Sequence, residues 1–266
     1  MEQSKIRAIL SDDPWAGSVV VLDEVDSTNN LAKTLASQGA PSGTVLIADR
    51  QSAGRGRMGR VFLSPGGKGI YLSVLLRPQC PPQALMHLTC AAAEAVTDAV
   101  EAACGFRPGI KWTNDLVAGN RKLGGILTEL QVNPETKLVD HVIVGVGLNC
   151  GQTEADFDPS IRSMACSVRM ISGTAPDRNL LAAQMIRALH RMAQELLTRK
   201  EAMLEQYRRD CITIGQEISV VRGLRIRHGT ALAVDDAGAL VVRYAEGDTE
   251  AVSSGEVSIR GLYGYL

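Results

Sequence analysis

"TVLIADRQSAGRGRMGRVFLSPGGKG", residues 44–69, decides how this chain is built. Its opening, Thr44–Asp49, reads as a β-strand, and the strand feeds straight into a loop of glycines and arginines. Gly54, Gly56 and Gly59 have the G-x-G-x-x-G spacing. In a dinucleotide-binding fold that pattern opens a helix. No helix fits here: Pro65, Gly66, Gly67 and Gly69 break the stretch that follows, and Arg55 and Arg57 occupy the tight turn. The GxxxxGK[ST] phosphate loop is also absent. The stretch therefore argues against a doubly wound parallel sheet. It favours an α+β fold, with helices packed on a mixed or antiparallel sheet.

The neighbouring segments agree. Val19–Leu22 begins a strand, and Ser27 or Thr28 can cap a helix that carries Leu31 and Leu35 on one face and stops near Gly39. "IYLSVLLRP" reads as a strand ended by Pro78. Leu85, Leu88, Ala92, Val96, Ala99 and Val100 form one stripe of a long helix. "IKW", "DLVAG" and "KLGGILTELQV" read as short sheet elements, with a turn at Gly119-Asn120. "HVIVGVGLN" reads as a buried strand. Leu181, Met185, Leu189, Met192 and Leu196 mark a second amphipathic helix from Asn179 to about Leu197. After Ile212 the texture changes to short strands split by Gly and Asp turns, as in "EISVV", "GTALAVDDAGALVVRY" and "EVSIR". The expected organisation is a catalytic-size domain over residues 1–212 and a small closed β-barrel over residues 213–266.

Composition narrows the function classes. With 28 basic and 29 acidic side chains the formal charge is -1, which argues against a general nucleic-acid coat or a polybasic membrane binder. No apolar run is long enough to span a bilayer, and "MEQSKIRAIL" lacks the apolar core of a signal peptide. The six cysteines form no CxxC pair and read as reduced thiols of a cytoplasmic protein. His87, His141, His190 and His228 are scattered and suggest no catalytic base.

The loop is a local concentration of positive charge. Glycines let backbone N–H groups converge, and arginines add planar donors for phosphate or carboxylate. A solvated surface loop and a nucleic-acid clamp are the competing readings, although the loop holds no aromatic platform. A second cluster, "KWTNDLVAGNRKLGG", brings Lys111, Asn114, Asp115, Arg121 and Lys122 within a dozen residues. A carboxylate and an amide between cations can hold hydrated Mg²⁺ beside a nucleotide, and a lysine can neutralise charge at a phosphoryl centre. A salt-bridged surface hairpin, with Trp112 simply in the core, is the alternative.

Together these stretches resemble the biotin–protein ligases. "DSTN" (Asp26–Asn29), "QSAGRGRMGR" (Gln51–Arg60), "KWTND" with "RKLGGIL", and "GVGLN" (Gly145–Asn149) occur in the family's order, and the C-terminal "GALVV…GEVSIR" is similar as well. The resemblance implies a catalytic domain of the class II aminoacyl-tRNA synthetase type followed by an SH3-like barrel. About 18 residues precede the first strand, so the resemblance is to the monofunctional type without a DNA-binding helix-turn-helix. It also implies activation of biotin by ATP, with Mg²⁺, to biotinyl-5'-AMP. Transfer then follows to a lysine of a biotin carboxyl carrier protein, from acetyl-CoA carboxylase or another carboxylase.

By the same resemblance Ser27, Thr28, Asn29 and Gln51 line the biotin pocket, and Arg55, Gly56 and Arg57 belong to a loop that orders over the intermediate. Lys122 contacts the carboxylate or acyl-phosphate oxygen. Lys111 and Asn114 lie at the nucleotide, Asp115 at the metal, and Asn149 at the adenylate. Lys122, Arg55 and Lys111 are the expected catalytic groups. Two positions depart from the family: Thr113 replaces a usual proline and Gly124 a usual alanine. Neither change removes a charge or donor from the expected site. A lipoate–protein ligase and a non-enzymatic β-barrel adaptor are the rival readings. Family members often pair through sheet edges, which leaves monomer and homodimer open.

Overall fold

A computed structural model describes residues 1–253 and 258–261 of the chain. The first helix, α1 (Gln3–Ile9), precedes strand β1 (Val19–Val25), helix α2 (Thr28–Ser37) and strands β2 (Thr44–Gln51) and β3 (Gly69–Leu76). The long helix α3 (Leu88–Cys104) leads to β4 (Gly109–Lys111), β5 (Asp115–Ala118), β6 (Arg121–Val132) and β7 (Val139–Asn149). Helices α4 (Val168–Ser172), α5 (Arg178–Glu195) and α6 (Lys200–Asp210) follow, and then β8 (Glu217–Arg222), β9 (Arg225–Val234), β10 (Leu240–Tyr244), β11 (Thr249–Val252) and β12 (Ser258–Gly261).

Strands β1 to β7 form one seven-stranded sheet in the order β1-β2-β3-β7-β6-β5-β4. Only β1 and β2 run parallel; the other neighbours are antiparallel. This is the mixed sheet expected from the glycine loop. At the β5–β6 turn Gly119 and Asn120 both have positive φ, of 55° and 57°, the backbone a tight hairpin turn requires. Every residue of β3 is buried, because strands flank it and both of its faces are covered. On one face lie α3 and α5, and the stripe Leu85, Leu88, Ala92, Val96, Ala99 and Val100 is buried there as the spacing predicts. On the other face lies α2, packed through Ala32 and Ala36 against Leu46, Leu75 and Ile143.

The outer edge of β1 is partly covered. Arg7 of α1 donates to the Val19 carbonyl at 2.8 Å, and the Val21 N–H donates to Gln3 Oε1 at 3.0 Å. At the other end of the molecule α3 and α6 are joined by Arg107. Its guanidinium donates to Asp210 at 2.9 and 2.7 Å, Asp98 at 3.0 Å and Glu101 at 2.6 Å, and it also contacts the buried Glu94. Burial, and then the Asp210 charge, push the Glu94 carboxyl up to about 8, while Arg107 pulls it back.

The C-terminal strands correct one expectation. They form an open five-stranded sheet in the order β11-β10-β9-β8-β12, not a closed barrel. Among the described residues β11 and β12 occupy opposite ends and do not pair. The reason lies in where the apolar face goes. Ile218, Val220, Ala231, Val234, Leu240 and Val242 are buried in the same core cluster as the helices, so the sheet covers its inner face without curling onto itself. Of the "GEVSIR" segment, 255–257 lie outside the described residues, as do 254 and 262–266.

Candidate active site

One end of the site is built where β1 passes into α2. Ser27 precedes the helix but its hydroxyl makes no capping bond. Gln51, at the end of β2, takes that role: its Oε1 accepts from the Thr28 N–H at 2.8 Å and from Thr28 Oγ1 at 3.1 Å. Its Nε2 donates to Ser64 Oγ at 2.9 Å. Ser73 of β3 lies beneath, with its Oγ 2.7 Å from Thr28 Oγ1 and 2.7 Å from Asn29 Oδ1. The two hydroxyls and the amide oxygen form one buried polar group, since each hydroxyl both donates and accepts. The Asn29 amide donates to Glu129 Oε2 at 2.9 Å and to the Leu127 carbonyl at 3.3 Å.

The glycines of β7 make room for this arrangement. A Cβ at Gly145 would stand 2.0 Å from Asn29 Oδ1. A Cβ at Gly147 would stand 2.6 Å from the Phe62 ring, which lies against the strand.

The basic loop closes the second side. Gly56 N–H donates to the Arg60 carbonyl at 2.7 Å, and Met58 and Gly59 have positive φ. Arg55 ion-pairs with Glu129 at 3.1 Å and donates to Asn30 Oδ1 at 2.9 Å. Arg57 donates to Asn114 Oδ1 at 2.9 Å. Burial lowers the Arg57 guanidinium from its ordinary value while Asp115 opposes that, and a guanidinium remains charged throughout.

The third side comes from the β4–β5–β6 meander. The Lys122 ammonium donates to Asp115 Oδ1 at 2.6 Å, and Asn114 Nδ2 donates to the same oxygen at 3.2 Å. The peptide between Trp112 and Thr113 is cis. This turn is held from behind: Tyr207 of α6 donates to the Thr113 carbonyl at 3.0 Å, and the Trp112 indole N–H donates to the Gly238 carbonyl of the C-terminal sheet at 2.9 Å. The Lys122 N–H donates to the Met164 carbonyl at 2.7 Å, which brings Met164 to the site.

These sides enclose a cavity of about 670 Å³. Ser27, Thr28, Asn29, Gln51, Arg55, Gly56, Arg57, Lys111, Asn114, Asp115 and Lys122 all line it, joined by Arg60, Phe62, Trp112 and Met164. Asn149 does not. It is buried on β7, donating to the Cys166 carbonyl at 3.0 Å and accepting from Gln152 at 3.1 Å. Phe62, Ser64, Ser73, Glu129 and Met164 were not singled out from sequence. Ser73 had a visible signal, a hydroxyl in an otherwise apolar strand, whereas Glu129 and Met164 had none.

The family profile described as "Biotin/lipoate A/B protein ligase family" matches residues 21–149, and "Biotin protein ligase C terminal domain" matches residues 213–260. The bifunctional ligase/repressor BirA of Bacillus spizizenii is 35% identical over 251 residues, covering 93% of this chain and 76% of that protein. This chain belongs to the biotin/lipoate A/B protein ligase family. The biotin–[acetyl-CoA-carboxylase] ligase of Mycobacterium tuberculosis is 36% identical over 89% of this chain and 87% of its own length. A biotin protein ligase from Aquifex aeolicus, in complex with biotin and ATP, superposes with a TM-score of 0.76 at 28% identity, covering 92% of this chain and 99% of that one. The motif stretches from Asp26 to Asn149 fall inside the first matched segment of this family member. Among its described residues no helix is long and apolar enough to cross a membrane.

Proposed function

We propose that this chain activates biotin with ATP as biotinyl-5'-AMP and transfers the biotin to a lysine of a biotin carboxyl carrier protein. The observation that carries this reading is the meeting, in one cavity, of a hydroxyl-and-amide wall with Arg55, Arg57, Lys111 and Lys122. The wall suits the ureido head of biotin. Thr28 Oγ1 and Asn29 Oδ1 each keep a lone pair beyond the Ser73 contact, and ureido N–H groups can donate to them. Gln51 acts through Thr28, since its amide is already engaged there.

The cations suit the chemistry. A biotin carboxylate and an ATP phosphate repel one another before they react, and the charges of Arg55, Arg57, Lys111 and Lys122 offset that repulsion. The carboxylate oxygen bonds to the α-phosphorus and pyrophosphate leaves. The carrier amine then bonds to the acyl carbon, loses its proton, and AMP leaves. No enzyme nucleophile is required.

Among the described residues no group of three or more His, Cys, Asp or Glu could hold a metal on its own. Asp115, beside Asn114, offers one carboxylate. That fits Mg²⁺ delivered on nucleotide phosphates, where it would screen their charge, better than an all-protein cage. Asn149 supports the strand end beside Cys166 and has no contact role in this reading.

The test is mass spectrometry of a carrier domain after incubation with the protein, Mg-ATP and biotin, with lipoate in parallel. Biotin addition that is lost in Lys122→Ala is the expected result. Transfer of lipoate alone would assign the chain to the other branch of its family, and absence of pyrophosphate release with either acid would remove the enzymatic reading.

A further inference from the structure

Glu129 of β6 lies outside the cavity lining yet grips two residues that form it. Its Oε2 accepts from Asn29 at 2.9 Å, and its Oε1 lies 3.1 Å from Arg55. Lys33 of α2 reaches the same Oε1 at 2.5 Å. The Glu129 side chain is 19% exposed, against 40% for Arg55 and 39% for Lys33. A half-buried carboxylate is costly unless cations and donors surround it. Burial raises the Glu129 carboxyl, but the Lys33 and Asn29 hydrogen bonds and the two cations outweigh it and hold the group below its ordinary value. It is therefore an anion shared between three elements.

Arg55 sits at the root of the basic loop, where its backbone bridges to Val61. Its guanidinium is held from outside the loop, by Glu129 on β6 and by Asn30 on α2. Asn29 belongs to the wall assigned to the biotin head. Resting on that assignment, we propose that Glu129 is a positioning residue that ties the basic loop, through Arg55, to the acid-binding wall, through Asn29. The loop root is then seated before substrate arrives, and a change at the wall is transmitted to the loop through one carboxylate. A glutamate that served only stability would show no selective link between these two places.

The test is Glu129→Gln, which keeps the shape and removes the charge. In the ligand-free protein, tryptic cleavage after Arg57 and Arg60 should accelerate about tenfold relative to cleavage elsewhere, the scale of one lost charged hydrogen bond. In biotin-dependent pyrophosphate release the variant should raise KM for biotin about tenfold and change kcat less than about twofold. In an Arg55→Ala background Glu129→Gln should add less to KM than it does alone, because the route through Arg55 is already cut and only the Asn29 contact remains. Unchanged loop cleavage, or KM effects that simply add in the double variant, would overturn the proposal. If Glu129→Gln does not fold, Arg55→Met breaks the same pair from the loop side. It must then speed cleavage after Arg57 and Arg60, and a failure to do so overturns the proposal as well. The cleavage measurement needs no substrate, so it judges the Glu129–Arg55 tie even if the protein releases no pyrophosphate with biotin.

Discussion

A single methyl group at position 145 would disturb the wall proposed for biotin. The Cβ of Gly145→Ala would fall 2.0 Å from Asn29 Oδ1 and 2.8 Å from Asn29 Cγ. Asn29 cannot swing aside without leaving Glu129 and the Leu127 carbonyl, and buried polar groups left unpaired cost about 1–3 kcal/mol each. Gly145→Ala should therefore lower the unfolding temperature and raise KM for biotin at least about tenfold; calorimetry and a pyrophosphate assay read the two effects. At this scale the sequence carried identities but not contacts. "GVGLN" was recognisable as a motif, yet nothing in it announces that Gly145 faces Asn29. Gln51 was expected in the wall of the pocket and does line the cavity, but nothing local announces that its amide closes the first turn of α2. Pairings between distant positions are set by the sheet, and the sheet is not written locally.

At the level of elements, the basic loop is the piece proposed to respond to ligand. Met58, Val61 and Leu63 are all more than half exposed, an apolar rim awaiting cover. We expect amide hydrogen exchange in residues 54–60 to slow when biotin and ATP are added together, as the loop folds over the adenylate; unchanged exchange there would count against closure. The strands and the two long helices were legible because their apolar residues recur with period 2 or 3.6. Helix α6 was not, since only Leu204 and Tyr207 of its length are buried and two residues make no stripe. The small β-barrel was expected because short strands with turn signals look alike whether or not the sheet closes. What decides closure is the availability of another surface, and the core shared with the helices supplies it.

At the level of the whole molecule, acidity acts through the joint between α3 and α6. An unfolded glutamate releases its proton near pH 4.5, whereas Glu94 keeps its proton up to about pH 8. Between those values the folded chain binds more protons than the unfolded one, so stability falls as pH rises through that window. The thermal midpoint should drop from pH 6 to pH 8.5 in the natural protein, and Glu94→Gln should flatten that slope; an equal slope in both proteins would place the titrating group elsewhere. The molecule also ends its main sheet on β1, whose outward N–H and C=O groups are partly occupied by the side chains of Gln3 and Arg7. Removal of residues 1–9 would uncover that row as a template for strands of other molecules, with β-branched Val19, Val20 and Val21 at the front. The first nine residues thus cover an edge that would otherwise be open to pairing. Shortened chains should scatter light at concentrations where the intact protein stays clear.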